Sequence, residues 1–417
     1  RSTLFPYTTL FRSASLKRIQ NKIITFWKWI KQKSIFILKK IKQLFGWIKS
    51  RINATLFITL FITLIATVLG GWAVDSIIKE ENFRKFRSKP FLTFESDYTQ
   101  VFRLSKEVDS LEYSVGEHEW SKLEKGQTIV FGGNRGKLML RGESKKGTNG
   151  ATIIFGTDAE VVCSGDLYTL VDYKHYDKLY KTNPISSANF NSLFENCTQL
   201  VVAPELSSTV LVDNCYEKMF SGCTSLKRAP ELPAKNLKKR CYQNMFIGCT
   251  SLEEVPVIKA ESLAEGCCKG MFMGCISLKE APVLLAEQLE KNCYSYMFSG
   301  CSSLKKAPEL RALNLAFGCY LGMFSNCTSL STAPYLKAKK LVDFCYYKLF
   351  SGCTSLSMVK ISATEIEDDR YQFNSWLEGV PSDGFFYKNK DARWDNNGIV
   401  PKDWIIKSFN PDDPDEN

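Results

Sequence analysis

The sequence predicts an α/β solenoid of seven 26-residue repeats, preceded by a small all-β domain and an N-terminal transmembrane helix. Three observations predict it: a segment that returns at a constant 26-residue period, strand-like alternation before that segment, and an uncharged 21-residue run near the start. A chain of 417 residues is long enough for two or three domains with sizeable cores.

The Phe of each "MF" or "LF" pair is used as the reference position of the repeat. This reference Phe returns at positions Phe194, Phe220, Phe246, Phe272, Phe298, Phe324 and Phe350. A period of 26 residues is that of a solenoid, in which each repeat packs only against its neighbours.

Within a repeat, the apolar residues lie four positions apart. Leu237, Cys241, Met245 and Cys249 follow this spacing, which predicts one face of a short helix or of a helical turn. The position two after the reference Phe is Gly or Asn in every copy, and both residues accept the left-handed backbone that ends a helix. A proline column, beginning at Pro204, is interpreted as the place where each coil leaves a parallel ladder.

Thirteen of the fifteen cysteines form two columns. The downstream thiol column lies three residues after the reference Phe, and the upstream thiol column lies five residues before it. A metal site is excluded because the repeats contain no C-x-x-C and no His, and no cofactor is expected. A catalytic nucleophile is also excluded, because catalysis needs one activated thiol beside a base rather than a row of equivalents.

Disulfides are the main alternative for these cysteines, because an exported segment would meet an oxidising compartment. Two cysteines eight residues apart on a helix would lie ~12 Å apart, which is beyond disulfide reach. We therefore predict that the thiols are part of the core, where cysteine behaves as a small hydrophobe. The residues predicted as core thiols are Cys223, Cys241, Cys249, Cys275, Cys293, Cys301, Cys319, Cys327 and Cys345.

The positive charge of the chain is concentrated at its start. Residues 1–74 hold 13 of the 55 basic residues and no acidic residue, so 42 basic residues face all 44 acidic residues after them. Residues 1–13 resemble the translation of a sequencing adapter and are excluded from the fold. Residues 14–52 predict a basic amphipathic helix beside the membrane.

Residues 53–74 predict a transmembrane helix, since Ala54–Val74 is an uncharged run long enough to cross a bilayer. Lysine and arginine before the run place the N-terminus in the cytoplasm and the repeats outside the membrane, either periplasmic or at the cell surface. A cleaved signal peptide is the alternative, but its apolar run would be shorter. Residues 75–90 are interpreted as a charged linker.

The residue pattern divides the rest of the chain into four segments. Short alternating runs over 91–183 predict a small β domain and the entry to the solenoid, 184–360 hold the repeats, 361–408 form a C-terminal cap, and 409–417 are an acidic, disordered tail. The segment Gly132–Lys137, "GGNRGK", lacks the spacing of a phosphate-binding loop and is interpreted as a hairpin turn.

Partner binding is expected at the positions of the repeat where the residue type varies from copy to copy. Val257, Val283, Leu285 and Tyr335 are candidates for an exposed apolar strip across neighbouring coils. Seven and eight residues after the reference Phe, the charges change sign from copy to copy, so a stripe that follows nucleic-acid phosphates is excluded.

The segment Met219–Leu252, "MFSGCTSLKRAPELPAKNLKKRCYQNMFIGCTSL", resembles the BspA-type leucine-rich repeats of bacterial surface proteins. The resemblance implies an α/β leucine-rich-repeat solenoid, surface display and binding of a protein or glycan partner, and it implies no enzymatic activity. The sequence therefore predicts a membrane-anchored recognition or adhesion protein. The alternative is a passive spacer or coat element of the cell envelope with no specific ligand.

Overall fold

A computed structural model describes residues 91–116, 119–175, 188–366 and 371–413. These residues belong to one compact unit, Lys89–Asn417, which has its own continuous hydrophobic core. The helices predicted over 14–52 and 53–74, and the linker after them, lie outside the described residues. Within the described ranges, no helix combines the length and the apolar character needed to cross a membrane.

Eight short strands form the first part of this unit. They are β1 Leu92–Glu95, β2 Gln100–Leu104, β3 Leu111–Val115, β4 Ser121–Lys122, β5 Ile129–Phe131, β6 Leu138–Gly142, β7 Ile153–Phe155 and β8 Val161–Ser164. Strands β5, β2 and β7 form one antiparallel sheet, and β4, β3, β6, β1 and β8 form the antiparallel part of a larger one. Alternate residues of β1 and β6 are buried, as in sheets with one face against a core. A single helical turn, α1 Thr169–Asp172, follows β8.

The turn at Gly132–Lys137 connects two sheets rather than two strands of a hairpin. Strand β5 belongs to the three-stranded sheet and β6 to the larger sheet, with a 3-10 turn at Gly133–Arg135 between them. Gly132 has a φ of 79°, and a Cβ at this position would lie 2.3 Å from the carbonyl oxygen of Tyr98. The interpretation as a hairpin turn is therefore wrong, because β5 and β6 belong to different sheets. Glycine is needed at position 132 because the backbone of Tyr98 leaves no room for a Cβ.

The β domain closes the N-terminal end of the solenoid. Strand β9, Leu200–Val202, lies in the first coil and pairs in parallel with β8, so the larger sheet continues into the repeats. The N–H of Ile153 donates to the carbonyl of Leu193 at 2.8 Å. The rings of Phe94 and Phe194 are 6.3 Å apart, which joins the two cores.

The reference phenylalanines stack along the axis of the solenoid. Their successive ring centroids are 5.3, 5.4, 5.5, 5.7, 5.8 and 5.8 Å apart from Phe194 to Phe350, and their planes differ by 15° or less. All seven rings are buried. Aromatic pairs add about 0.5–1.5 kcal/mol each beyond the area they bury, so the ladder holds each coil on the next.

The segment before each reference Phe is a ribbon of turns, so of the two predicted alternatives the short helix is wrong. Around Phe246, the N–H groups of every second residue donate three residues back, as from Met245 to Tyr242 and from Cys249 to Phe246. The residues between them donate to the next coil, as from Phe246 to Met271. Successive N–H groups therefore donate in turn to a carbonyl of their own coil and to a carbonyl of the next coil. In an α-helix, by contrast, every N–H donates four residues back within the same segment.

Left-handed residues produce this ribbon and exclude a helix. In the coil of Phe246, Arg240, Asn244 and Gly248 have φ values of 53°, 54° and 72°. A left-handed residue at every fourth position breaks a right-handed helix, yet it preserves the four-residue side-chain spacing. The prediction for the Gly and Asn column is correct for the backbone conformation, but the element that it follows is a turn.

The remaining part of each coil makes isolated parallel bridges. Arg228 bridges to Glu254, Ile258 to Leu284 and Asn236 to Ser262, at positions 8, 12 and 16 after the reference Phe. The proline column lies between the first two of these positions, so it does not mark the exit from the ladder. The fold class is thus a solenoid of turns and bridges, and the described repeats contain no α-helix.

The C-terminal cap continues the coils. Strands β10 Met358–Ile361, β11 Phe385–Asn389 and β12 Ile405–Phe409 form a parallel sheet. The carbonyl of Trp376 accepts the N–H of Phe350 at 2.8 Å, so Trp376 takes the place of a repeat Met in the cap. Strand β12 ends at Phe409, one residue beyond the cap predicted from the sequence.

Candidate interaction surface

The two thiol columns lie in the interior of the solenoid. All fifteen cysteines are buried and carry free thiols. The predicted core thiols of the upstream column are Cys241, Cys293, Cys319 and Cys345, and those of the downstream column are Cys223, Cys249, Cys275, Cys301 and Cys327. Each of them lies away from solvent, so none is positioned to meet a substrate.

The downstream thiols connect neighbouring coils. The Cys249 Sγ donates to the carbonyl oxygen of Phe220 at 3.0 Å, and the same contact recurs at 3.0–3.2 Å from Cys223 to Cys353. The Phe220 carbonyl also accepts the N–H of Cys223 at 3.1 Å. One backbone oxygen therefore holds its own turn and the next coil, which requires a small side chain with a donor at this position.

Burial makes these thiols poor nucleophiles. Desolvation raises the pKa of Cys249 to about 12, and it does the same for Cys301 and Cys319. A thiol with such a pKa is neutral at physiological pH, and the thiolate is the reactive form. The exception is Cys267, whose pKa is lowered because the thiol of Cys268 donates a hydrogen bond to it.

A shallow cleft of about 360 Å³ beside the first coil is lined by Glu95, Asp97, Glu160 and Lys137, among others. The Lys137 ammonium pairs with Glu95 at 2.8 Å. In the ranges that the structure describes, no group of three or more His, Cys, Asp or Glu residues is arranged to hold a metal ion.

The four residues predicted as an apolar strip separate into two places. Val257 and Val283 lie in one column of adjacent coils and are each 49% exposed, with half-buried Leu285 beside them. The next residue in that column is Glu309, which pairs with Lys337 at 2.7 Å. Tyr335 lies beyond this ion pair, where its hydroxyl is 2.6 Å from Ser362 Oγ and its ring packs against Phe409.

Charged residues form a second ladder on the surface. Seven residues before the reference Phe, the column reads Asp213, Lys239, Glu265, Lys291 and then Phe317. The Lys239 ammonium pairs with Glu265 at 2.8 Å, and this contact lowers the pKa of the Glu265 carboxyl. The charges in this column alternate in sign, and one ion pair joins two neighbouring coils, until Phe317 interrupts the column.

An aromatic cluster lies where this charged ladder ends. It consists of Phe317, Phe344, Tyr347 and Tyr371, which come from two successive coils and the cap. Phe344 is central, with ring centroids 5.4 Å from Phe317 and 5.6 Å from both tyrosines. Phe317 and Tyr371 are 43% and 45% exposed. The cluster is thus held together by its own contacts and remains open to solvent.

Two lysines border the aromatic cluster. The Lys291 ammonium lies 5.2 Å from the ring of Phe317, and the Lys348 ammonium lies 5.5 Å from the ring of Tyr347. Aromatic side chains are enriched in protein interfaces, and tyrosine is among the residues that contribute most of the binding energy there. The sequence prediction missed this site, because its members occupy different columns of the repeat. The replacement of a charge by Phe317 in the charged column was the available signal.

Comparison with known proteins identifies the repeats. Residues 190–305 match the family description "BspA type Leucine rich repeat region", in six copies. Neither the search of curated proteins nor the search of solved structures gives a match. The six copies differ from the predicted seven, although seven reference phenylalanines stack in the structure. The resemblance carried by Met219–Leu252 is confirmed, and the solenoid over residues 190–305 is a BspA-type leucine-rich repeat region.

Proposed function

We propose that this chain is an exported recognition protein whose solenoid binds a protein partner through the aromatic cluster. Repeats of this family serve surface protein interactions and typically carry no enzymatic activity. The observation that carries the proposal is the group of exposed rings, Phe317 and Tyr371, on a surface where the earlier coils carry charged residues, including the ion pair of Lys239 and Glu265. A passive spacer would be soluble with charged residues alone on its surface. Exposed rings lower the solubility of a protein unless a partner covers them.

The predicted membrane anchor completes this proposal. A helix over 53–74, with the basic segment 14–52 on the cytoplasmic side, would present the repeats outside the membrane. Protease treatment of intact cells tests this topology: cleavage of the repeats from outside is expected. Protection of the repeats until the membrane is opened would contradict it.

Binding is tested with the compact unit 89–417, immobilised and offered a panel of extracellular proteins and polysaccharides. We expect saturable binding to a protein, weakened at least tenfold by Phe317→Ala and Tyr371→Ala together, since buried aromatic anchors contribute about 2 kcal/mol or more. The matched control is Leu313→Ala, which removes a 63% exposed apolar side chain from another column. Equal weakening by the control would show that the cluster is not the site.

Two other outcomes concern the alternatives. Saturable binding to a polysaccharide alone would leave recognition in place but replace the protein partner by a glycan. Binding lost through Val283→Asp, and not through the aromatic variants, would move the site to Val257 and Val283. The absence of any saturable ligand would favour the passive spacer.

A further inference from the structure

The solenoid ends in a strand whose outer edge is open. Strand β12 pairs with β11 on one side, and in the part of the chain that the structure describes no strand pairs with its other side. Its first four residues are all exposed, and Ile405 and Ile406 are 54% and 44% exposed. An open edge with exposed apolar residues is a template for pairing with another chain.

Ile406 belongs to the row that is the core elsewhere. The register places Val359 beside Phe386 and Phe386 beside Ile406, and the first two are fully buried. The same row therefore passes from the interior to solvent at the last strand. On the opposite face, Met358, Phe385 and Ile405 form an exposed apolar row that also ends at β12.

The backbone of β12 offers specific groups to this edge. The N–H of Ile405 donates to Gly384, and the carbonyl of Phe409 accepts from Lys390, so these residues bond inward. Successive residues of a strand direct their backbone groups to opposite sides. The N–H and C=O groups of Ile406 and Ser408 therefore point to the open edge.

We propose that a second copy of this chain covers the edge, with the two β12 strands paired antiparallel about a two-fold axis at Ile406. In this arrangement each Ile406 exchanges both backbone hydrogen bonds with its counterpart. The two core rows then meet end to end. A two-fold interface needs only one surface, which both copies already have.

The charge of Lys407 selects this register. An axis at Lys407 would place two ammonium groups opposite each other, at the closer, non-hydrogen-bonded spacing, and like charges directly opposite are destabilising. An axis at Ile406 places Lys407 opposite Ile405 of the second copy. The Lys407 ammonium lies 4.8 Å from the ring of Phe385 in β11, so this register leaves its charge on that ring and away from a second ammonium.

Charge substitutions at Ile405 test the register through their sign. The compact unit 89–417 is studied by sedimentation velocity over a wide concentration range, and we expect a reversible dimer. Ile405→Lys places a lysine opposite Lys407 and is expected to raise the dimer dissociation constant more than tenfold. Ile405→Glu removes the same apolar side chain but gives Lys407 a partner, so its dissociation constant is expected to stay within threefold of the parent.

The controls separate folding from assembly. Leu313→Lys introduces the same charge at an exposed apolar site outside β12 and is expected to leave the dimer unchanged. Circular dichroism confirms that each variant is folded. A monomer at every concentration, or equal weakening by Ile405→Lys and Ile405→Glu, would overturn the proposal. In that case Lys407 protects a free edge, or another molecule covers it.

Discussion

The interior and the surface of the solenoid are both built as ladders with the same 26-residue period, but the two ladders differ in composition. Inside, the ring at the reference position is Phe in each stacked coil, from Phe194 to Phe350. Outside, the charged column changes from Lys239 to Glu265 and is then interrupted by Phe317. The repeated residues determine the fold, and the residues that differ between coils are the ones available for recognition.

The largest expected effect on the interior is an alkaline collapse. The pKa of Cys249 and of Cys301 is about 12 in the folded chain, above the ordinary value of 9.0. A raised pKa means that the unfolded chain ionises first, so this stability is complete below pH 9 and is lost as pH rises toward 12. Each thiol removes about 1.4 kcal/mol per pH unit in that range, and several act together.

Circular dichroism between pH 8 and pH 11 measures this transition. Replacing Cys249 and Cys301 by Ala is expected to make the fall in stability with pH shallower, although these variants start less stable. The buried tyrosines also have raised pKa values, as at Tyr242, and add a second loss at higher pH. An unchanged slope in the cysteine variants would assign the transition to the tyrosines alone.

The next largest effect is the loss of one ring of the interior ladder. Phe272→Ala is expected to lower the free energy of unfolding by about 3–5 kcal/mol, because it removes a fully buried ring and both of its stacking contacts. Urea denaturation of the unit 89–417 measures the change. Val283→Ala, at an exposed surface position, is the control and is expected to change stability by less than about 0.5 kcal/mol. Similar losses for both would contradict the difference between interior and surface.

A smaller effect separates the two thiol columns. Cys275→Ala removes a thiol that donates to the carbonyl of Phe246 at 3.2 Å. Cys293→Ala removes an equally buried thiol for which the described structure records no such donation. The first variant is therefore expected to lose about 0.5–1.5 kcal/mol more than the second in the same urea experiment. The reverse order would show that packing, rather than the hydrogen bond, selects cysteine.

The smallest effect belongs to the charged ladder on the surface. Lys239→Ala breaks the pair with Glu265, but both side chains are exposed and water screens the interaction. The change in the urea midpoint is expected to lie within measurement error, and any remainder should vanish in high salt. A clear loss that persists in high salt would show that the surface ladder helps to hold the coils.

The sequence predicted the period and the burial, but it did not predict the local backbone. A four-residue spacing of apolar residues is common to a helix and to the observed ribbon of turns, so the spacing cannot distinguish them. Glycines at the left-handed positions would have revealed the ribbon, as at Gly266 and Gly270. Other coils place Arg240 or Tyr296 there, residues that sequence rules do not associate with a left-handed backbone.

The candidate site was predicted less well, for a geometrical reason. Val257 and Val283 share a column, so the repeat alone places them side by side. Phe317 and Phe344 occupy different columns, and Tyr371 belongs to the cap, so their contact depends on how successive coils are offset. Only the three-dimensional structure gives that offset. The same limit applies to Tyr335, whose contact with Phe409 spans the repeats and the cap.

The alternation of hydrogen bonds in the turn ribbon gives the solenoid a mechanical property. Bonds such as Phe246 to Met271 run between coils, along the axis, whereas bonds such as Met245 to Tyr242 close turns within one coil. A pull along the axis loads the first kind and spares the second. The molecule would then yield one coil at a time, and each coil would release about 90 Å of chain, at ~3.5 Å for each of its residues. A protein anchored at one end and bound to a partner at the other would lengthen in steps before it dissociates from that partner.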